Sequence, residues 1–285
     1  MKTYIECIPC FVQQTLGAVR LATEDYSIQE TVLREMLTAI SRIDMEQSPP
    51  LMGREIHRHI REKVSRDDPY KTVKDQYNRL ALDLLPALSE RVKNADNPLE
   101  TAVRLAIAGN IIDFGANLDI DPAVVDKTIE KSLTDPLFGD IEGFARAVAR
   151  ADNILYLADN AGEIVFDRLL LEQLPRDRVT VAVRGAPVIN DATYEDARLA
   201  GITDMVPVID NGTDIPGTFL EACSPSFVAA FQAADLVIAK GQGNYETLSD
   251  HPNAGKIFFL FKTKCPVAAR DMGCAVGRFV VQKGS

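Results

Sequence analysis

An acid and an amide stand side by side where a short apolar run, residues 154–158, ends. Asp159 and Asn160 follow this run, and Gly162 and Glu163 come shortly after them. The pattern predicts a strand, a ligand-bearing loop and a helix, and in open α/β sheets ligands bind at the carboxyl ends of strands. Oxygen-bearing side chains suit a hard divalent cation, while a glycine turn and a helix start offer backbone N–H groups to an anion. We therefore expect a metal-and-phosphate site here.

Polar residues and glycines follow the next three apolar runs as well. Because the carboxyl ends of parallel strands lie at one edge of a sheet, we expect these loops to converge. A protein without a binding site has no need for polar residues after every strand. Four such loops in order are therefore stronger evidence for a functional site than any one of them. The three loops carry Arg184, Asn190 and Asp191; Asp210, Asn211 and Gly212; and Lys240, Gly241, Gly243 and Asn244.

The expected cation ligands are Asp159, Asn160 and Asp191. They would supply two carboxylates and one carbonyl and leave room for water and a substrate oxygen, which is the partly hydrated coordination that Mg²⁺ prefers. A cation held in this way would polarise a phosphoryl oxygen and orient a water molecule for attack.

The expected phosphate contacts are cations and glycine amides. Lys240 and Arg184 would neutralise charge on the phosphoryl oxygens. Gly241 and Gly243 would let backbone N–H groups reach the phosphate. Glu163 has two interpretations, either a favourable negative charge at a helix start or a group that orients the attacking water.

Each of these signals also has a structural interpretation. An Asp-Asn pair at a strand end is often a turn with a helix cap, and Asn190-Asp191 is a plausible N-cap. Lys240-Gly241 could be a solvated turn. The Asp210-Asn-Gly sequence favours a turn without catalytic duty, because Asn-Gly is a strong turn signal.

The composition narrows the class of protein. The chain has 285 residues, of which 46% are apolar and 25% charged, as in soluble globular proteins. Its 41 acidic residues against 31 Lys plus Arg argue against a general nucleic-acid binder or an anionic membrane surface. We see no signal peptide and no apolar run long enough to span a membrane, so the cytoplasm is the expected location. Five cysteines, an odd number, do not suggest a disulfide framework.

The hydrophobic period changes near residue 150. Before it, apolar residues recur at three-and-four spacing, which predicts helices. After it, short apolar runs alternate with helical stretches, which predicts βαβ units and a mainly parallel sheet. We therefore predict an α/β protein with a helical domain at 1–150, packed on a Rossmann-like α/β/α domain at 151–285 that carries the metal site. The predicted helices are 15–22, 28–43, 53–64, 70–92, 99–114, 122–133, 141–151, 164–174, 191–200 and 218–234, and the predicted strands are 154–158, 179–183, 205–209, 236–239 and 257–261.

Cys7 and Cys10 form a Cys-x-x-Cys pair whose thiols share one helix face. One such pair is half a zinc site, which Cys265 and Cys274 could complete in space. A thioredoxin-like redox pair would normally follow a strand, whereas this one opens a helical region. A second metal site, a redox function and burial as small apolar side chains remain open.

The sequence resembles the metal-dependent damage-control phosphatases, also known as the domain of unknown function eighty-nine family. Four segments carry the resemblance, which spans nearly the whole chain. The amino-terminal Cys-x-x-Cys is typical of the short archaeal and bacterial branch. The four segments are Asp159-Asn-Ala-Gly-Glu163, Asn190-Asp191-Ala-Thr, Lys240-Gly-x-Gly-Asn244-Tyr and Gly109-Asn110-Ile-Ile-Asp113.

The resemblance implies a divalent metal in a cleft between a helical and an α/β/α domain. It implies hydrolysis of small phosphorylated metabolites, including sugar phosphates and damaged cofactor-type compounds, with Mg²⁺ by default and Mn²⁺, Co²⁺ or Ni²⁺ as alternatives. The family's metal ligands map onto Asp159, Asn160 and Asp191, and its loop lysine maps onto Lys240. Asn110 and Asp113 would face the same cleft from the helical side, and Arg184 and Asn244 would help shape the substrate pocket.

Two other functions compete with the phosphatase. A carboxyl methyltransferase using S-adenosylmethionine is an activity also proposed within this family, but Ala161-Gly162 is a poor match to the Gly-x-Gly loop that such an enzyme would place after its first strand. A non-catalytic metal- or thiol-binding module would depend on Cys7 and Cys10 instead. Within the phosphatase reading, Ala161 stands where a phosphoaspartate enzyme would carry a second Asp, which favours direct attack by metal-activated water.

Overall fold

The computed structural model of the chain describes residues 1–109 and 122–285. Local sequence explains several helix starts in the amino-terminal half. The Asp25 carboxylate accepts hydrogen bonds from the N–H groups of Ser27 and Ile28, and proline occupies the first turn of three helices, where its missing N–H costs nothing. The helices of this half are α1 (Cys7–Ala22), α2 (Tyr26–Ile40), α3 (Pro49–Val64), α4 (Lys71–Lys93), α5 (Pro98–Ala108) and α6 (Pro122–Thr134).

Strands and helices then alternate to the end of the chain, as the change of period predicts. The short apolar runs form strands, which are buried except at the edge strand Val208–Asp210, and the stretches between them form helices. The elements are β1 (Leu137–Gly139), α7 (Ile141–Arg150), β2 (Ile154–Leu157), α8 (Glu163–Leu171), β3 (Val179–Val183), α9 (Tyr194–Leu199), β4 (Val208–Asp210), α10 (Pro225–Ala233), β5 (Leu236–Lys240), α11 (Gly241–Leu248), β6 (Ile257–Lys262), α12 (Pro266–Met272) and β7 (Phe279–Lys283).

In the described part of the chain, the strands form one seven-stranded sheet in the order β1-β7-β6-β5-β2-β3-β4. Every neighbouring pair is parallel except β6 and β7, which are antiparallel. The expected fold class, amino-terminal helices followed by a mainly parallel α/β sheet with interleaved helices, is confirmed. The order places the carboxyl ends of β3, β2, β5 and β6 next to one another.

The two faces of the sheet bury different cores. Leu236 and Ile238 of β5 join a cluster that extends into α4, α5 and α8, whereas Val237 and Ala239 join a second cluster with α10, α11 and α12. Alternate residues of a strand point to opposite faces, so the pattern is the two-residue period of a sheet covered on both sides. The helices α1, α2 and α3 have a third cluster of their own.

Some elements differ from the sequence-based expectation. Strand β1 lies before residue 150 and pairs with β7, so the segment predicted as helical also contributes to the sheet. The division into domains at 1–150 and 151–285 stays a prediction. The segment after Lys240, predicted as the loop that follows the fourth strand, is helix α11. No helix in the described residues is both long and apolar enough to cross a membrane.

Candidate active site

The loop after β2 and the loop after β3 are joined by their backbones. Asn160 and Asp191 form an antiparallel bridge. The N–H of Ala192 donates to the carbonyl of Asp159, and the N–H of Ala161 donates to the carbonyl of Asn190, both at 2.8 Å. The structure therefore brings Asp191 together with Asp159 and Asn160, the two other predicted cation ligands, which precede it by about thirty residues in sequence.

The Asn160 amide is held by two acids. Its Nδ2 atom donates to Asp159 Oδ2 at 2.7 Å and to Glu163 Oε2 at 3.0 Å. Because the –NH₂ end of the amide is used in this way, the Oδ1 acceptor is the end that remains to ligate a cation. The Glu163 side chain, 1% exposed, thus orients a predicted ligand from the first turn of α8.

Arg184 follows β3 and forms a buried ion pair. Its Nε donates to Asp191 Oδ2 at 2.6 Å, and both side chains are buried. The Arg184 Nη2 atom is also buried and has no hydrogen-bond partner among the described residues. A buried guanidinium N–H without an acceptor is costly, which points to an anion as its partner.

Lys240 lies behind these residues. Its ammonium donates to Glu163 Oε1 at 2.7 Å, to Asp167 Oδ1 at 2.5 Å and to the carbonyl of Ala106 at 3.0 Å. A lysine ammonium has three N–H donors, so all of them are used within the protein. In this geometry Lys240 fixes Glu163 rather than facing open space.

Burial and like charge perturb the acids of this site. Burial, reinforced by Glu163 and Asp191, raises the pKa of Asp159 well above its ordinary range. Burial also raises the pKa of Asp191 against the opposing effect of Arg184. It raises the pKa of Asp167 to about 6, although Lys240 acts to lower it. Perturbed acids in a cleft are typical of functional sites.

The described side chains at this edge carry a surplus of negative charge. Four buried carboxylates face two buried cations, and the neighbouring buried pair of Lys74 and Asp196 adds no net charge, so the sum is −2 when all are ionised. Buried charges are normally balanced by partners or metal ions, so the surplus equals the charge of one divalent cation. The carboxylates are those of Asp159, Glu163, Asp167 and Asp191, and the cations are Arg184 and Lys240.

The glycines and the asparagine after Lys240 have packing roles. Gly241 has φ +80°, and a Cβ there would overlap the Asp159 carboxylate. A Cβ on Gly243 would come 3.0 Å from the carbonyl oxygen of Pro216. Asn244 is buried, with Nδ2 donating to the carbonyl of Lys240 at 2.7 Å. The first turn of α11 has no side-chain cap, which leaves the expectation that its N–H groups bind an anion as a prediction.

One expectation about the first loop needs correction. The helix start after Gly162 was expected to offer free N–H groups to an anion. Instead, the N–H of Gly162 donates to Asn78 Oδ1 at 2.7 Å, and those of Ile164 and Val165 donate to carbonyls of the same loop. The buried Asn78 of α4 thereby fixes the glycine turn from the helical half, which removes the need for a ligand at these amides.

Sequence reasoning missed three residues of this site. Lys264, exposed and just after β6, is close enough to Asp159 to oppose the rise in its pKa. It could have been found by the rule used for the other strands, since a cation follows the apolar run of β6. Asp167 lies one helical turn after Glu163, whereas nothing in the helical pattern singled out Asn78. Asn110 and Asp113, two expected site residues, lie outside the described residues.

The cysteine pair is joined by a third thiol from the far end of the chain. Cys7, Cys10 and Cys265, here called the thiol cluster, line one cavity of about 450 Å³ together with Glu246 of α11. Burial raises the pKa of both Cys7 and Cys10. Across the described ranges no three His, Cys, Asp or Glu side chains converge as a metal cluster, so the cysteine metal or redox site and the metal site at Asp159, Asn160 and Asp191 both stay predictions.

The fold is that of an α/β/α protein with acids, an amide and two cations gathered at the carboxyl edge of its sheet, and comparison with known proteins identifies the family. Residues 3–280 match the model of the Damage-control phosphatase ARMT1-like domain. The chain therefore belongs to the damage-control phosphatase family.

Three archaeal relatives match over almost their whole length. An uncharacterized protein of Methanocaldococcus jannaschii is 38% identical over 99% of this chain and 96% of its own. Damage-control phosphatases of Pyrococcus horikoshii and Archaeoglobus fulgidus are 36% and 33% identical, and each alignment covers 99% of this chain and at least 98% of the relative. The crystal structure of a DUF89 family protein from Pyrococcus horikoshii superposes with a TM-score of 0.89 at 35% identity, covering 100% of both chains.

Proposed function

We propose that the protein is a metal-dependent phosphomonoesterase that hydrolyses small phosphorylated metabolites such as sugar phosphates. The observation that carries the proposal is the surplus of two negative charges among the buried side chains at the carboxyl edge of the sheet. Membership in the damage-control phosphatase family supports the same activity.

The residues at this edge suit a hard divalent cation. Asp159 and Asp191 supply carboxylates and Asn160 supplies an amide oxygen, and all three are oxygen donors of the kind that Mg²⁺ and Mn²⁺ accept. When bound, the cation would polarise the phosphoryl group and activate a water molecule. Mg²⁺ is the default, with Mn²⁺, Co²⁺ or Ni²⁺ as alternatives.

Two cations are available for the phosphoryl group. Arg184 is oriented by Asp191 and keeps its Nη2 donor for a phosphoryl oxygen. Lys264 lies near Asp159 at the exposed side of the site. Charges placed in advance around the phosphoryl group stabilise the charge that develops on its oxygens during transfer.

Lys240 and Glu163 act as positioning residues in this proposal. Lys240 holds Glu163, and Glu163 in turn holds the amide of Asn160. A ligand fixed by such a chain of hydrogen bonds needs no reorganisation when the substrate arrives. Gly241 brings the start of α11 against the Asp159 carboxylate and closes the other side of the site.

The test is phosphate release from p-nitrophenyl phosphate and a panel of sugar phosphates, with and without Mg²⁺, Mn²⁺, Co²⁺ or Ni²⁺. We expect Asp159→Asn and Asp191→Asn each to lower kcat/KM by at least about a hundredfold, since even residues that merely support a metal ligand cost up to that much. The matched control is Asp177→Asn, an exposed acid just before β3 and thus at the opposite edge of the sheet. Folded protein that releases no phosphate with any of these metals would contradict the proposal.

A further inference from the structure

A second cavity lies beside the candidate active site. It has a volume of about 560 Å³ and separates α3 from the loops that follow β3 and β4. Small-molecule sites typically measure about 300–1,000 Å³, so the cavity has room for part of a metabolite. Its walls include Arg54, Arg58, Arg61, Ala186, Thr213 and Asp214.

Three arginines line the helical wall of this cavity. Arg54, Arg58 and Arg61 are spaced four and three residues apart, which places them on one face of α3. Two of them are already paired with one buried acid. Arg58 donates to both oxygens of Asp214, at 2.8 and 2.7 Å, and Arg61 donates to Asp214 Oδ2 at 2.6 Å and to the carbonyl of Pro187.

The side chain of the third arginine has no partner in the part of the chain that the structure describes. The Arg54 side chain makes no hydrogen bond or ion pair with any described residue, and its Nε atom is fully buried. Asp214 is committed to the other two arginines, and Glu62, the other acid at the cavity, is exposed to solvent. The Arg54 side chain lines the cavity without an acceptor among the described residues, and an anion bound in the cavity would supply one through a charge-assisted hydrogen bond. The groups lining the cavity carry a local charge of +1 in a chain whose formal charge is −10.

The cavity is close to the proposed phosphatase site in the fold. Ala186, in its wall, is two residues beyond Arg184, and two residues span at most about 7 Å of backbone. The N–H of Gly185 donates to the carbonyl of Thr213 and to Asn211 Oδ1, both at 3.0 Å, which fixes the loop between the two sites. Arg184, at the start of this segment, and Arg54, in the wall of the same cavity as Ala186, each have one buried guanidinium nitrogen without a hydrogen-bond partner among the described residues.

We infer that Arg54 and the cavity around it form a second anion subsite, which binds a phosphate or carboxylate group at the far end of the substrate. This inference rests on the proposed phosphatase function and narrows its substrate class to small metabolites that carry a second acidic group besides the phosphomonoester. Arg58 and Arg61, held by Asp214, would form the fixed wall against which that group lies.

Phosphonates test the subsite without hydrolysis, because their carbon–phosphorus bond is not a substrate for a phosphomonoesterase. Calorimetric titration of the full chain would compare an alkyl monophosphonate with alkane bisphosphonates and ω-carboxyalkyl phosphonates of increasing length. We expect one chain length to bind at least about tenfold more tightly than the monophosphonate, the value of one charge-assisted hydrogen bond. The length at which the gain appears reports the distance between the two subsites.

Variants at Arg54 assign the gain to this residue. Arg54→Gln should abolish the preference for the second acidic group, and Arg54→Lys should retain part of it. Arg42→Gln, at an exposed arginine between α2 and α3, should keep the wild-type preference. A preference that survives in Arg54→Gln, or wild-type protein that shows none, would overturn the inference.

Kinetics separates this inference from the proposed function. With a divalent metal present, Arg54→Gln should lower the ratio of kcat/KM for a hexose bisphosphate over that for a hexose monophosphate by about tenfold, mainly through KM. If the wild type hydrolyses neither substrate but still prefers bisphosphonates, the proposed phosphatase function is refuted and the anion subsite stands. If inorganic phosphate binds at Arg54 but no second acidic group on a ligand adds affinity, the subsite takes a free anion and the substrate assignment is wrong.

Discussion

The buried lysine network makes a quantitative prediction about stability. Lys240 is fully buried and donates to Glu163, Asp167 and the carbonyl of Ala106. The substitution Lys240→Met keeps most of the apolar volume but removes all three donors and leaves two buried carboxylates without their cation. A buried pair that loses one partner typically costs about 3–5 kcal/mol. Because a whole domain is stable by only about 5–15 kcal/mol, this change should remove a large part of the free energy of unfolding.

The loss should depend on pH with a definite sign. In the intact network the pKa of Asp167 is about 6, above its ordinary value of 3.8, because burial outweighs the lowering by Lys240. Removing Lys240 raises the pKa of Asp167 further. The folded state then binds more protons than the unfolded state above about pH 4, so lowering the pH from 7 toward 4.5 should stabilise Lys240→Met relative to the wild type.

Denaturant unfolding at pH 7 and pH 5, followed by circular dichroism, measures both effects. The exposed pair of Lys93 and Glu90, at 2.8 Å, gives a matched contrast, and Lys93→Met should cost less than about 1 kcal/mol. The double variant Lys240→Met/Asp167→Leu should recover part of the loss, because it also removes one of the orphaned charges. If Lys240→Met costs no more than Lys93→Met, or becomes less stable as the pH falls, the network is not the buried ion cluster described here.

Three further predictions concern helix α11 and its neighbours. Gly241→Ala should lower kcat/KM at least about tenfold, because φ is +80° and the new Cβ would displace the Asp159 carboxylate, whereas Gly255→Ala, in open space, should have no effect. Burial raises the pKa of Glu246 to about 7 from its ordinary 4.5, so the wild type should lose stability as the pH rises from 4.5 to 7, whereas Glu246→Gln has no carboxyl to ionise. The free energy of unfolding of Glu246→Gln relative to the wild type should therefore increase over this range, by up to about 3 kcal/mol. Oxidation with diamide should join two members of the thiol cluster in a disulfide, which peptide mapping would identify. A disulfide formed only between the other cysteines, Cys223 and Cys274, would contradict the shared cavity.

The strands and the convergence of their loops could be predicted because both leave local signals. Buried strands read as short apolar runs, and an acid, amide or cation directly after each run marks the edge where ligands bind. Helix α11 was not predicted, because Gly241 and Gly243 favour a loop. Only the tertiary structure shows that Gly241 packs on the Asp159 carboxylate and Gly243 on the backbone carbonyl of Pro216. The pairing of Arg58 and Arg61 with Asp214 was equally hidden, since a residue more than 150 positions away decides which arginine stays unpaired.

Lys240 and Arg184, the two cations expected at the phosphate, lie on opposite faces of the sheet. The alternation of residues along their strands already contains this difference, although the loop motifs do not show it. In β5, residues Leu236 and Ile238 point toward the core shared with α5 and α8, so the two-residue period puts Lys240 on the same side, against Glu163 and Asp167. Arg184 comes one residue after β3 ends, and the same period turns it away from the core that holds Val183. Counting alternation along each strand would therefore have placed Lys240 against Glu163 and Asp167, and left Arg184 as the cation that we propose for the phosphoryl group.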